Sequence, residues 1–390
     1  RLADALGAQV ADLPDALARA SEVLVAAVAG SGDPDVARRV RGEVLRQLDE
    51  DVVSAAPLLE TFSGHPATDV EPVERRVPEQ ERQALTAWFA QALGGPVELA
   101  RATVLSGGHS RRMLVLDVAG PQGREAFVVR IEQGGTFGTD GTLEAEAMQA
   151  LGRAGVAVAP VRWIERDPAP LGQPFFVMDL VTGGSAVDDA VLETFLHALH
   201  AVHAVDPQAL AGSLGPPPSP EQAVQAQVER WWGVYRGSVP VPVPLLDEAA
   251  AWLRLHLRPT GPVCVVHGDP GPGNFLHDHG TITALTDWEF VHHGDAAEDW
   301  AYFATIRSRK LRSADEWYAA IERAVGVRND DRTWRAWEAF NQFKGACANL
   351  TALRLFVDGT ATTPNLLAIG TAVHARFLRR LADLVAEQGA

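Results

Sequence analysis

Apolar residues recur at helical spacing through the first sixty positions: Leu2, Leu6, Val10, Leu13 and Leu17 form one stripe, Val36, Val40, Val44 and Leu48 another. Gly30-Ser31-Gly32-Asp33-Pro34 interrupts them, with Asp33 suited to cap the second helix and Pro34 to open it. The pattern predicts a helical hairpin or bundle over residues 1–62 and a linker rich in Gly, Pro and charge at 63–79. After a helix near 79–93 the apolar period shortens to that of strands, with runs at about 99–105, 112–119 and 125–133 that read as a small antiparallel sheet. A helix at 142–154 and a strand at 174–181 follow. From Val191 helical spacing dominates, broken by Pro-rich stretches at 206–220 and 238–246. Strands return only between Val263 and Asp287, with Asp278-His279-Gly280 as a hairpin turn. The order predicts an α+β chain of two lobes, a sheet-based N-lobe over 80–183 and a mostly helical C-lobe over 184–390.

Composition narrows the partners. An apolar fraction of 47% can fill the cores that 390 residues imply. No apolar run approaches the roughly 20 residues of a membrane span, and the chain opens at Arg1 without a charged-then-apolar leader, so a cytoplasmic location and no membrane partner are expected. The formal charge of -16 disfavours nucleic acid, whose phosphates it would repel. The two cysteines, Cys264 and Cys347, lie in apolar runs and are expected as buried thiols.

The chemistry concentrates in His267-Gly268-Asp269-Pro270-Gly271-Pro272-Gly273-Asn274, followed thirteen residues later by Asp287-Trp288-Glu289. The apolar run Val263–Val266 should be a strand presenting Asp269 on the loop at its tip, and Thr281–Thr286 a second strand delivering Asp287 to the same place. Asp and Asn in a Gly/Pro loop are also ordinary turn residues. Three of them converging between strands offer more: one carboxylate to orient a hydroxyl, and two oxygens to hold a divalent cation on phosphate oxygens.

These residues resemble the signature HGDxxxxN followed by DWE of the aminoglycoside phosphotransferases and choline kinases, relatives of the protein kinases. The resemblance extends over about residues 80–390 and implies a protein-kinase-like fold, ATP or GTP as donor, and Mg²⁺. It implies Asp269 as catalytic base, Asn274 and Asp287 as Mg²⁺ ligands, and Asp299 as the carboxylate bracing the catalytic loop. Ser106, Gly107, Gly108, His109 and Ser110, between the first two strands, would cover the phosphates. Arg130, on the third strand, stands where most kinases have a lysine, a departure that keeps a permanent charge but changes the donor geometry. Its expected partner is Glu144, since Glu146 lies about 200° around the helix. Met178, the Asp179 carbonyl and the Val181 N–H would receive the adenine at a hinge between lobes.

His200 and His203 are expected to pack their helix, because metal pairs on a helix more often sit four apart. Trp231, Trp232 and Tyr235, with Trp300, Trp317, Trp334 and Trp337, suggest core packing ahead of a cage for a quaternary ammonium. Arg130 and the run Pro168–Met178 look most like the phosphotransferases associated with acyl-CoA dehydrogenases, which favours a hydroxyacyl metabolite as the small-molecule hydroxyl acceptor over an antibiotic. The last helix, near 362–388, mixes Arg376, Arg379 and Arg380 with Asp383 and Glu387, where an aminoglycoside would prefer carboxylates. The expected function is therefore ATP-dependent O-phosphotransfer. The alternative is a nucleotide-binding regulatory or scaffold protein with vestigial activity, using residues 1–62 for a protein partner or self-association.

Overall fold

A computed structural model of the protein describes residues 2–7, 12–63, 75–105, 111–132, 140–361 and 364–388. Two compact units each gather segments far apart in sequence. One comprises Arg1–Pro66, Ser219–Pro262 and Asn329–Ala390, the other Ala67–Pro218 and Val263–Arg328.

The first unit is helical throughout its described residues. The expected N-terminal stripe is split: Leu2–Leu6 is a short helix ended at Gly7, whose φ of 64° leaves the helical region, and Val10 lies outside the described residues. Leu13–Val28 starts anew, with the Asp12 side chain accepting from the Asp15 N–H at 3.0 Å. Asp33 caps Pro34–Ser63 by accepting from the Asp35 and Val36 N–H groups. The helix Asp331–Val357 runs as a spine against Pro220–Ser238, Pro244–His256 and His374–Gln388. It buries Trp334, Trp337, Phe340, Phe343 and Leu350.

The second unit carries the sheet. Strands β1 (Arg75–Arg76), β2 (Glu98–Leu105), β3 (Arg111–Gly120), β4 (Gly123–Glu132), β5 (Val161–Glu165) and β6 (Phe175–Asp179) pair antiparallel in the order β1-β2-β3-β4-β6-β5. The alternation of a strand sorts β4: Phe127, Val129 and Ile131 enter the core with Leu85 and Phe89 of the helix Glu79–Ala92, leaving Val128 and Arg130 to the opposite face. Met178 of β6 stands opposite Val128. Strand β5 had no counterpart among the elements read from the sequence; it is a five-residue edge strand with charge at Arg162 and Glu165, too short to show a period.

Below it, β7 (Cys264–Val266) pairs with β10 (His292–Gly294), and β8 (Phe275–Asp278) with β9 (Thr281–Leu285). His279 and Gly280, at φ 45° and 84°, make the expected two-residue hairpin turn. Both cysteines are buried free thiols. Among the described residues no helix is long and apolar enough to cross a membrane.

Candidate active site

Strand β7 is wholly buried and ends at His267, so the loop that follows starts from a rigid point. Asp299, on the helix Ala296–Tyr302 capped by Asp295, fixes that start: Oδ2 accepts from the His267 N–H at 2.8 Å and Oδ1 from the Gly268 N–H at 2.9 Å. His203, expected only to pack its helix, places Nε2 2.9 Å from Asp299 Oδ2. Burial acts to raise the Asp299 carboxyl, but hydrogen bonding to His203 and the charge around it prevail and hold it below the usual carboxylate range. Gly268 has φ of 87°, and a Cβ there would come within 2.8 Å of the Phe290 carbonyl oxygen, so no other residue fits.

His267 is a neutral strut. The Asp269 N–H donates to its Nδ1 at 3.2 Å, which puts the ring proton on Nε2, facing the Thr286 carbonyl at 3.0 Å. Trp288 lies against the ring at 4.4 Å between centroids. Burial lowers the His267 pKa, and burial does the same to His374 of the helical unit. The unfolded chain takes these protons near pH 6.5 and the folded chain does not, so it binds more protons below that pH and stability falls. Urea unfolding is expected to show a loss of up to about 1.4 kcal/mol per pH unit for each imidazole on acidification below pH 6.5, with a shallower slope in His374→Gln.

Asn274 donates Nδ2 both to the Asp269 carbonyl and to Asp269 Oδ2, each at 2.8 Å. Its amide hydrogens are thereby used, leaving Oδ1 as an acceptor. Asp287, just past β9, has φ of 65°, a left-handed backbone that a non-glycine residue holds only when its surroundings demand it. Its Oδ1 accepts from Arg130 Nη2 at 2.7 Å, while Arg130 Nη1 meets Glu144 Oε1 at 3.0 Å. Glu144 is fully buried on the helix Gly141–Arg153, and Glu146 pairs instead with Arg166. Burial acts to raise the Asp287 carboxyl, but the Arg130 guanidinium outweighs it and keeps that carboxyl low.

A cleft of about 830 Å³ is lined by Arg130, Asn274 and Asp287. Arg130, Asn274, Asp287, Glu289 and Arg307 line its polar end, and Val128, Ala159 and Leu285 its apolar end. Met178 and the residues from Asp179 to Gly183 also line it. All three methionines of the chain, Met113, Met148 and Met178, face this cleft, a soft wall suited to a flat ring. The Asp179 side chain is turned to Arg162, 2.6 Å away. Ser106, Gly107, Gly108, His109 and Ser110 lie outside the described residues.

Two participants were absent from the sequence reading. Arg307 donates Nε to Asp269 Oδ1 at 2.8 Å and Nη2 to Oδ2, and the half-buried Tyr302 lies beside both, the pKa of its hydroxyl pushed up by burial and by the Asp269 charge. In sequence Arg307 sits among Arg309, Lys310 and Arg312 and looks like a solvated helix end. Four of the tryptophans weighed for a cage are spent on packing: Trp231, Trp300, Trp317 and Trp337 are under 2% exposed.

The profile described as the phosphotransferase enzyme family matches residues 101–340. A 173-residue stretch is 29% identical to acyl-CoA dehydrogenase family member 10 of Mus musculus, covering 41% of this chain and only 16% of that protein. A candidate aminoglycoside phosphotransferase from Ralstonia eutropha superposes with a TM-score of 0.60 at 23% identity, over 78% of this chain and 98% of its own. A thermostable mutant of aminoglycoside phosphotransferase APH(4)-Ia, in ternary complex with ADP and hygromycin B, gives 0.54 at 17% identity over 79% and 99%. At these identities the structural likeness shows the fold, that of kinase-like phosphotransferases.

Proposed function

Because the chain belongs to the phosphotransferase enzyme family, we propose that it transfers the γ-phosphoryl group of ATP to the hydroxyl of a hydroxyacyl metabolite, with Asp269 as the base. One observation carries this: Arg130 pairs with Asp287 and Asn274 bonds to Asp269, and Arg130, Asn274 and Asp287 line one cleft together with Arg307, which grips Asp269. In the step proposed, the acceptor O–H gives its proton to Asp269, the acceptor oxygen bonds to the γ-phosphorus, and the bond from phosphorus to the β–γ bridging oxygen breaks to release ADP. Arg130 binds the phosphates and draws its orientation from Glu144, while the methionine-lined end with Met178, the Asp179 carbonyl and the Val181 N–H takes the base. Ser106, Gly107, Gly108, His109 and Ser110 are assigned to the phosphates by their sequence.

The donor set fits Mg²⁺, which needs only one or two protein oxygens when phosphates and water supply the rest. Asn274 keeps Oδ1 as an acceptor, its Nδ2 being committed to Asp269, and Asp287 holds a carboxylate kept ionised by Arg130. Bound there, the cation would neutralise charge on the nucleotide phosphates. Asp287→Asn is expected to weaken Mg²⁺-dependent ATP binding by about 10- to 100-fold, the loss of one charged interaction. Calorimetric titration with and without Mg²⁺ checks it; an unchanged affinity in Mg²⁺ would remove Asp287 from that role.

The acceptor class draws support from the acyl-CoA dehydrogenase relative, although the chain spans only 16% of it. An ATP-consumption screen over hydroxyacyl-CoAs, free hydroxy acids, choline, aminoglycosides, macrolides and sugars tests it. Turnover confined to the antibiotics would reverse the acceptor assignment. A rise in melting temperature with Mg·ATP but no phosphorylated product from any acceptor would favour the scaffold alternative.

A further inference from the structure

Between Asp269 and Asn274 the loop reads Pro270, Gly271, Pro272, Gly273 and so carries no cationic side chain of its own. A guanidinium reaches it from another element. Arg307 grips the Asp269 carboxylate through Nε and Nη2 together, a parallel fork that fixes the plane of the group as a single bond would not.

Two unrelated features of the fold make this approach happen. Gly271 has φ of 141°, and a Cβ there would stand 2.5 Å from the Arg307 Cβ, so the loop admits the arginine only because that position is glycine. The segment Phe303–Arg307 winds as a π-turn, closed by the Ser308 N–H on the Phe303 carbonyl at 2.9 Å. Such turns are rare, add a residue to the helical repeat and cluster at functional sites. With Nε and Nη2 committed to Asp269, Nη1 lies 3.9 Å from where a Gly273 Cβ would be, on the wall of the cleft shared with Asn274.

Resting on the phosphotransfer reading above, we propose that Arg307 is a further catalytic residue, holding the Asp269 carboxylate in the plane that receives the acceptor proton and presenting Nη1 to the phosphoryl group in transit. Negative charge on the equatorial phosphoryl oxygens lies beside a donor already in place, so the stabilisation is larger in the transition state than for bound ATP.

The test compares two ligands. Mg·ATP reports the ground state, and Mg·ADP with aluminium fluoride mimics the phosphoryl group in transit. Arg307→Met is expected to bind Mg·ATP within about threefold of the wild type and to lose roughly 30-fold or more for the aluminium fluoride complex, in keeping with the loss of one preorganised donor. Arg307→Lys keeps the charge without the fork and should fall between. Methylguanidinium added to Arg307→Ala should restore part of the lost affinity for the mimic and leave Mg·ATP binding unchanged, a response that a merely structural residue would not give. If variants with wild-type melting temperature bind both ligands as the wild type does, or lose both equally, Arg307 is not catalytic. Should the methionine variant fail to fold, the lysine variant decides by the same ratio. A wild type that binds neither ligand removes the phosphotransfer reading, and this inference with it.

Discussion

Asp269→Asn is expected to lower kcat by about 10³-fold, the scale of a positioned general base, while Mg·ATP affinity stays within about threefold. Asparagine preserves the shape of the side chain and can keep an oxygen at the Oδ2 position for Arg307 Nη2 and Asn274 Nδ2, giving up only the bond from Arg307 Nε. What it removes is the second anionic oxygen that can take a proton. Asp269 bonds to Arg307 and Asn274, not to the Arg130 and Asp287 pair assigned to the nucleotide, which is why nucleotide affinity should survive. Alanine would be the poorer test, because it would leave the half-buried Arg307 without its carboxylate. Single-turnover phosphate transfer alongside calorimetric ATP binding checks both halves. Equal rates for the variant and wild type would take the role of base from Asp269.

The largest effect on stability is expected at Arg130→Met. One guanidinium serves two carboxylates, Glu144 at 3.0 Å and Asp287 at 2.7 Å, and Glu144 is fully buried. Methionine fills much of the volume but strands both anions. Breaking a buried pair from one side typically costs about 3–5 kcal/mol, and here a like-charge pair would remain. Urea unfolding should record a loss of that size, with ATP binding falling at least about tenfold once the phosphate donor is gone. Arg130→Lys should recover part of each, since a single ammonium cannot hold two carboxylates as Nη1 and Nη2 do. Stability within 1 kcal/mol of wild type in Arg130→Met would mean the two carboxylates are relieved some other way.

The loop from His267 to Asn274 was readable as a loop between strands because its polar groups stand out against apolar strands and glycine–proline punctuation, a contrast that depends only on neighbours in sequence. The pairing of Arg130 with Glu144 was readable for a similar reason, as helical geometry separates Glu144 from Glu146. Arg307 was not. Its contact with Asp269 spans 38 residues and depends on a π-turn that carries no compositional mark. His203 was underread for the same cause: its partner Asp299 is 96 positions away, and a histidine on an apolar helix face gives no hint of what lies opposite. Strand β5 escaped because five residues with charge at two of them do not establish a period. The break at Gly7 shows the converse, a single glycine ending a helix that the apolar stripe alone would have continued.

The interleaving of the two units governs how this chain can be dissected. The backbone passes between them at residues 66, 218, 262 and 328, so no single cut frees either one intact. Removing the first 66 residues would take away Leu13–Val28, the helix packed on Pro244–His256, and strip cover from apolar side chains in the remaining segments. Shortened versions that precipitate would therefore report lost shielding of those helices, whether or not the phosphate chemistry needs the deleted part. Point changes, or an internal cut rejoined by a flexible tether, are the sounder way to ask what the leading helices do.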